Sequence, residues 1–250
     1  MPFTGAHPLA VLPLLRVRRL DATCLVIGSM SPDLLYFVRG ELAGTFGHTK
    51  LGLALWCVPS TLVMAFLVHF LVKWPVLLVA PVPLARRALA VVDRTWPKDR
   101  SLEALVSLPI SATIGAVTHL VWDSFTHADG FFVQRIGMLR TDLHLPVVGF
   151  TSGHRLLQLA FSVVGLAILA FVIARYFWRA PARDVPDVPR SRARWIFAGS
   201  LALGVGLLFA RLVAMNAFSV GDLIVGPISG AMVGTLLASA LLRRRAGTLR

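Results

Sequence analysis

Residues 156–178 read LLQLAFSVVGLAILAFVIARYFW, and Arg175 is the one charged residue among them. A helix crosses the hydrocarbon core of a bilayer in about 20 residues. This stretch is long and apolar enough to do so, and its neighbours repeat the pattern. Working outward from it, comparable runs lie near 51–72, 103–123, 195–217 and 220–242. The five runs predict an all-α fold, a polytopic membrane helical bundle. A shorter apolar run, 22–38, is interrupted by Ser31-Pro32-Asp33 and predicts a helix–break–helix segment at the interface rather than a sixth span.

Composition agrees with that reading. Of 250 residues 56% are hydrophobic and 15% charged, with a mean hydropathy of +0.75. Soluble domains average about 45–50% apolar and about 25% charged. An intrinsically disordered chain is excluded, and a soluble enzyme could not hide this much apolar surface in one core. The only cysteines, Cys24 and Cys57, form no CxxC and no disulfide framework. No internal repeat is visible. The start lacks a basic segment ahead of its apolar residues, so no signal peptide is expected. The expected organisation is a single integral-membrane domain over 1–250. Residues 1–155 carry the candidate site and 156–250 the last three spans.

The net charge is +13, with 25 basic residues against 12 acidic ones. In a soluble protein this excess would suggest nucleic acid. Here the basic residues cluster between and after the apolar runs. The 73–102 loop (with Arg86, Arg87, Arg94, Lys98 and Arg100), the 175–194 linker and the C-terminus hold 16 of the 25. Residues 1–50 and 124–155 hold 8. The positive-inside rule puts the first set in the cytoplasm and the N-terminus outside. The lipid bilayer is therefore the expected partner, and no nucleic acid is. Part of the basic loop, about 84–92, is expected to be a short surface helix.

Polar chemistry gathers on the opposite side. On this topology six of seven histidines fall there: His7, His48, His119, His127, His144 and His154. Asp33, Asp123, Asp129 and Asp142 lie with them. His69 is placed towards the cytoplasmic end of the first span, apart from the others. The strongest local pattern is His119-x-x-x-Asp123-x-x-x-His127. A spacing of four puts side chains on one helix face, where an imidazole and a carboxylate can hold a metal ion. A hydrogen-bonded interfacial pair, with Trp122 in an aromatic belt, explains the same residues without a metal. Asp33 has a bland account too, with Ser31 as a helix N-cap and Pro32 in the first turn. The small residues Gly28 and Ser29 upstream suggest a close backbone approach. Both accounts stay open on the residues alone.

Four blocks stand in a distinctive order: MPFTGAHPLAVLPL (1–14), GSMSPDLLYF (28–37), Gly47-His48 ahead of a long apolar helix, and THLVWDSFTHADG (118–130). In this order the chain resembles an uncharacterised family of bacterial integral-membrane proteins, a domain of unknown function. That family is similar to inner-membrane metal-dependent hydrolases and, distantly, to the zinc-dependent phospholipase C and single-strand nuclease superfamily. The resemblance implies a multi-pass protein of the bacterial inner membrane. It implies metal ligands at His7, Asp33, His48, His119 and Asp123, with His127 beside them. The superfamily's later His-x-x-x-Glu has no counterpart here, since Glu41 and Glu103 follow no histidine at that spacing. One or two divalent ions are expected rather than three, with His144 or His154 as spare ligands.

The chemistry implied is hydrolysis of a phosphoester at the outer membrane–water interface, with zinc or manganese as cofactor and Asp33 and Asp123 catalytic. A phospholipid or a polyprenyl phosphate fits a site at that depth. Arg211, inside the fourth span, is a candidate substrate-binding residue because a guanidinium grips phosphate bidentately. Snorkelling, or pairing with Asp222, is the plainer account. The rival classes are an accessory membrane protein whose polar cluster is structural, and a transporter. Transporter sites lie near the midplane on broken helices, which fits the span-end cluster less well.

Overall fold

The computed structural model describes residues 3–42, 44–92, 95–99, 101–145, 149–216 and 219–249. Met1 and Pro2 of the opening motif, Arg94 and Arg100 of the basic loop, Ala217 of the fourth run and Phe218 lie outside them. The protein is an all-α polytopic membrane protein, and among the described residues five helices are long and apolar enough to cross a bilayer. These are Lys50–Val79 (α3), Leu102–Asp123 (α5), Gly153–Arg179 (α6), Ser191–Ala214 (α7) and Val220–Ala246 (α8). Shorter helices are Ala22–Gly28 (α1), Leu34–Arg39 (α2) and Val82–Val92 (α4). The expected break at Ser31–Asp33 is a single 3₁₀ turn between α1 and α2. The surface helix expected near 84–92 is α4.

The chain folds as two compact units. The first comprises Met1–Asp33, Phe46–Leu62 and Ser101–Ala174. Its spine is α5, whose buried residues Leu108, Ser111, Ala112, Gly115, Ala116, His119 and Asp123 recur three or four apart. That spacing makes one stripe along the helix, and the stripe ends in the polar pair. Helix α1 lies against it. A Cβ on Gly28 would sit 2.6 Å from the Ala112 carbonyl oxygen, and one on Gly115 would sit 2.4 Å from that of Leu25. Small residues let two backbones approach this closely where water offers no driving force. The Asp21 carboxylate caps α1 by accepting from the Cys24 N–H at 2.8 Å, and the Asp21 N–H donates to Ser111 Oγ at 2.8 Å. A hairpin of Asp142–Leu145 (β1) and Gly149–Ser152 (β2) follows, with Asp142 opposite Ser152.

The second unit comprises Leu34–Thr45, Val63–Arg100 and Arg175–Arg250. Trp74, Leu77, Leu78, Ala85, Ala193, Leu242, Ala246 and Leu249 form its buried core. Helices α7 and α8 meet through small residues, where a Cβ on Gly204 would fall 2.2 Å from the Gly230 carbonyl oxygen.

Several boundaries differ from the sequence reading, and two of these differences bear on packing. The first span runs on to Val79 instead of stopping at 72, because Trp74, Leu77 and Leu78 are core residues of the second unit. Proline strips the helix of an N–H and clashes with the carbonyl four residues back. For Pro59 and Pro75 these carbonyls belong to Leu55 and Leu71, and each falls in a π-helical turn, Leu53–Cys57 and Val68–Val72. The wider turns accommodate the prolines without ending the helix. The fourth span starts at Ser191, so Arg192 and Arg194 belong to its first turn. Arg194 donates to the carbonyls of Val79 (3.1 Å) and Ala80 (3.3 Å), satisfying the end of α3.

Candidate metal centre

The site lies wholly in the first unit. Four backbone devices assemble it. Helix α5 presents His119 and Asp123 one turn apart at its C-terminal end. The 3₁₀ turn Ser31–Asp33 presents Asp33. The turn Phe46–His48 presents His48, and Gly47 makes this possible, since a Cβ there would lie 2.2 Å from the Pro32 carbonyl oxygen. The opening turn Thr4–Ala6 passes into the one-turn helix Pro8–Val11, with His7 at the junction.

The expected ligands His7, Asp33, His48, His119 and Asp123 come together from these segments. His119 Nε2 is 3.1 Å from Asp123 Oδ2 and 3.7 Å from Asp33 Oδ1. His48 Nε2 is 3.3 Å from Asp33 Oδ1 and 3.4 Å from Asp123 Oδ2. His7 Nε2 is 3.7 Å from Asp123 Oδ1, and the His7 and His119 rings stack with centroids 3.7 Å apart. Each oxygen of Asp123 thus faces a different set of imidazoles, the arrangement of a bridging carboxylate. Two overlapping triads, His7/His119/Asp123 and Asp33/His48/His119, keep their ligand atoms within 4.8 Å of one another.

Hydrogen bonding shows what the cluster lacks. Both His7 nitrogens, His119 Nε2, Asp33 Oδ1 and both Asp123 oxygens are buried without a hydrogen-bond partner among the described residues. Buried polar groups are nearly always satisfied, so a group of orphans facing one another needs an explanation. His119 sharpens the point. Its Nδ1 donates to the Ser29 carbonyl at 2.8 Å, so in the neutral ring Nε2 turns a lone pair, not a proton, towards the carboxylates. A cation between them removes that repulsion. Tetrahedral zinc, with bonds of about 2.0–2.1 Å, sets its ligand atoms roughly 3.3 Å apart. The closer contacts here, 3.1 to 3.7 Å, match that spacing.

The surroundings orient these ligands. Thr4 Oγ1 donates to Asp33 Oδ2 at 2.6 Å, leaving Oδ1 for the imidazoles. With the Ser29 carbonyl on His119, this is the outer layer that aims metal ligands. Neither contact was read from the sequence. Thr4 stands three residues before His7, and that spacing was the available signal. Burial lowers the His48 imidazole, but Asp123 and Asp33 beside it more than offset this and hold it up at about 9. Burial, then the neighbouring His119 ring, pushes His7 down to about 3.

The other candidates divide. His127 follows α5 by one turn, with Nδ1 3.6 Å from Asp123 Oδ1 and 3.1 Å from the Asp123 carbonyl oxygen. His154 is engaged elsewhere, by the Leu139 carbonyl (3.0 Å) and Ser152 Oγ (3.2 Å). His144 sits on β1 with its ring edge-on to Phe150. Neither fills the role of a spare ligand here. His69 stacks on Trp96 in the second unit. Asp33 stands in the first turn of the Ser31–Asp33 segment, and the Ser31 hydroxyl donates back to the Gly28 carbonyl at 2.8 Å. Arg211 lies in the second unit, where it donates to the Arg39 carbonyl at 2.6 Å and pairs with Glu41 at 3.5 Å rather than with Asp222. Asp222 instead accepts from the Leu42 N–H at 2.9 Å.

Fold and site together define a multi-pass helical membrane protein with a buried His/Asp cluster able to hold a metal ion. The chain belongs to the family described as domain of unknown function DUF4184, whose profile matches residues 1–240. It is also 32% identical over 160 residues to the UPF0014 membrane protein STAR2 of Oryza sativa subsp. japonica, covering 62% of this chain and 54% of that protein. The chain thus spans about half the length of this curated relative. No solved structure matches it.

Proposed function

We propose that the protein is a membrane-bound, metal-dependent phosphoester hydrolase acting on a lipid phosphate in a bacterial inner membrane. The observation that carries this reading is the set of orphaned atoms: two carboxylates and two imidazoles, buried and facing one another, without hydrogen-bond partners among the described residues. The order of the ligands along the chain, which resembles that of metal-dependent hydrolases, supports it. Imidazole and carboxylate donors suit zinc, manganese or iron. A divalent ion bound there would supply an acidified water and a clamp on the phosphoryl oxygens. The chain's own residues do the rest. His119 and Asp123 hold position from the rigid end of α5. Asp33, steadied by Thr4, presents one oxygen to the centre. His48 and His127 form the more exposed edge, with side chains 21% and 29% accessible against 0% for His119. Beside the cluster a largely apolar cavity of about 330 Å³ is lined by Ala10, Val117, Thr118, Val121, Trp122, Phe125 and Phe161. The Trp122 ring is 6.0 Å from that of His7. An acyl or isoprenyl chain fits such a lining, which favours an amphiphilic substrate. No role is assigned to Arg211.

The second reading, a structural metal site in an accessory membrane protein, rests on how deeply most of the cluster is buried. One experiment addresses both. Metal content of the detergent-purified protein is measured by mass spectrometry beside the His119→Ala/Asp123→Ala double variant, followed by a screen of lipid phosphates. One or two transition-metal ions per chain, lost in a folded variant, together with metal-dependent phosphate release, are expected. Bound metal without turnover would favour the structural reading. No metal after reloading with zinc and manganese would sink the hydrolase and the structural metal alike, leaving an accessory membrane protein whose cluster is a hydrogen-bonded polar network.

Two further results are expected. Metal binding at His48 must expel the proton that Asp123 and Asp33 hold on it up to about pH 9. Apparent zinc affinity should therefore rise about tenfold per pH unit between pH 6 and 8, because a ligand binds only when deprotonated. His7, already neutral there, adds no slope. A pH-independent affinity by competitive chelator titration would mean that His48 gives up no proton on metal binding. Thr4→Val deletes the hydroxyl that steadies Asp33. It should weaken metal binding about 10-fold, at the lower end of what outer partners contribute, while leaving helicity unchanged by circular dichroism.

A further inference from the structure

We propose that a second site, in the second unit, binds the phosphate headgroup of an anionic phospholipid. A cavity of about 520 Å³ lies against α4 and the C-terminal end of α6. Ala90, Val91, Tyr176 and Pro181 give it an apolar wall, and Arg179 and Arg183 line the same cavity. Two guanidinium groups beside an apolar wall suit a ligand with a phosphate and a hydrocarbon part, since the planar fork binds phosphate oxygens in pairs. The volume falls within the usual range of ligand cavities, about 300–1,000 Å³.

The walls are tied together. Arg87 of α4 donates through Nη1 to the carbonyls of Phe177 (3.4 Å), Trp178 and Ala180 (3.1 Å), closing the end of α6. Its guanidinium also lies 5.2 Å from the Trp178 ring centre. The Arg183 N–H donates to the Arg86 carbonyl at 2.9 Å, fastening the linker to α4. Asp184, the next residue, turns to Arg86 at 4.0 Å. Helix α4 is thereby stapled to the point where α6 ends, and the cavity is held open between them.

Location selects a lipid over free phosphate. Helix α6 is an apolar span, and the cavity sits at its terminus, where Trp178 and Tyr176 are 78% and 46% exposed. Aromatic side chains with polar edges gather at the headgroup level. Basic residues between helices there are the usual contacts of anionic headgroups. The site is independent of the metal centre and of the hydrolase reading.

The test uses the whole protein. It is released from nanodiscs of equal phosphatidylglycerol and phosphatidylcholine content, and retained lipid is counted by native mass spectrometry. The expected result is about a thirtyfold preference for phosphatidylglycerol, roughly fivefold per arginine. The Arg179→Gln/Arg183→Gln variant should lose most of it. Ala90→Trp, which fills the cavity and keeps both arginines, should lose it as well and guards against misfolding of the double variant. Equal retention of the two lipids, or an undiminished preference in Ala90→Trp, would overturn the proposal. So would stabilisation by millimolar inorganic phosphate without any preference for phosphatidylglycerol.

Discussion

Asp123→Asn is expected to empty the metal centre while leaving the helices in place. Asp123 is the residue the others share. One of its oxygens faces His48 and His119, and the other faces His7 and His127. The amide substitute keeps the shape but loses the charge, and it turns donor hydrogens towards a centre that needs acceptors. Removing a partner outside the ligand shell weakens metal binding about 10–100-fold. Loss of a ligand that touches both halves of the cluster should exceed the upper end of that range. Metal content should fall to background by mass spectrometry, with helicity unchanged by circular dichroism. Any metal-dependent phosphate release should fall with it. Metal retained by the Asp123→Asn variant would mean that the ion is held by another set of residues.

Gly115→Leu is expected to unfold the first unit. A Cβ at this position would lie 2.4 Å from the Leu25 carbonyl oxygen and 2.7 Å from the Ser29 nitrogen. Both are backbone atoms, so no rotamer change relieves the clash. Overpacking a close-packed interior costs about 1–3 kcal/mol where side chains can yield, and more where they cannot. Helix α1 must move away from α5, and the Ser29 carbonyl that orients His119 moves with it. The variant should lose its cooperative melting transition in detergent and its metal together. An unchanged melting temperature would show that α1 is not packed on α5 as described. Gly115→Ala, which adds only the Cβ, should be affected less than the leucine variant.

The sequence alone determined the membrane class, the number of spans and the residues worth considering for a site. Hydropathy is a local and additive property: the apolar stretch 156–178 around Leu169 avoids water whatever it packs against. The His119–Asp123 pair was legible for the same reason, since a spacing of four on a helix is geometry within one element. The break at Ser31-Pro32-Asp33 was marked by proline. Where the spans end was less legible. Lys73 and Pro75 looked like the start of a loop, and only the burial of Trp74, Leu77 and Leu78 in the second unit carried α3 on to Val79.

Tertiary structure alone decided which polar residues meet. Thr4 and Asp33 are 29 positions apart, and the Ser29 carbonyl and His119 are 90 apart. No local pattern encodes such contacts. They depend on Gly28, Gly47 and Gly115 letting backbone segments approach to distances at which a Cβ would collide. The same holds for the residues excluded. His154 and Arg211 carry the right chemistry, but His154 hydrogen-bonds to Ser152 and Leu139, and Arg211 pairs with Glu41 and the Arg39 carbonyl within its own unit. A ligand's identity is a property of one side chain. A metal centre is a property of the space between several, and that space forms only when the chain has folded.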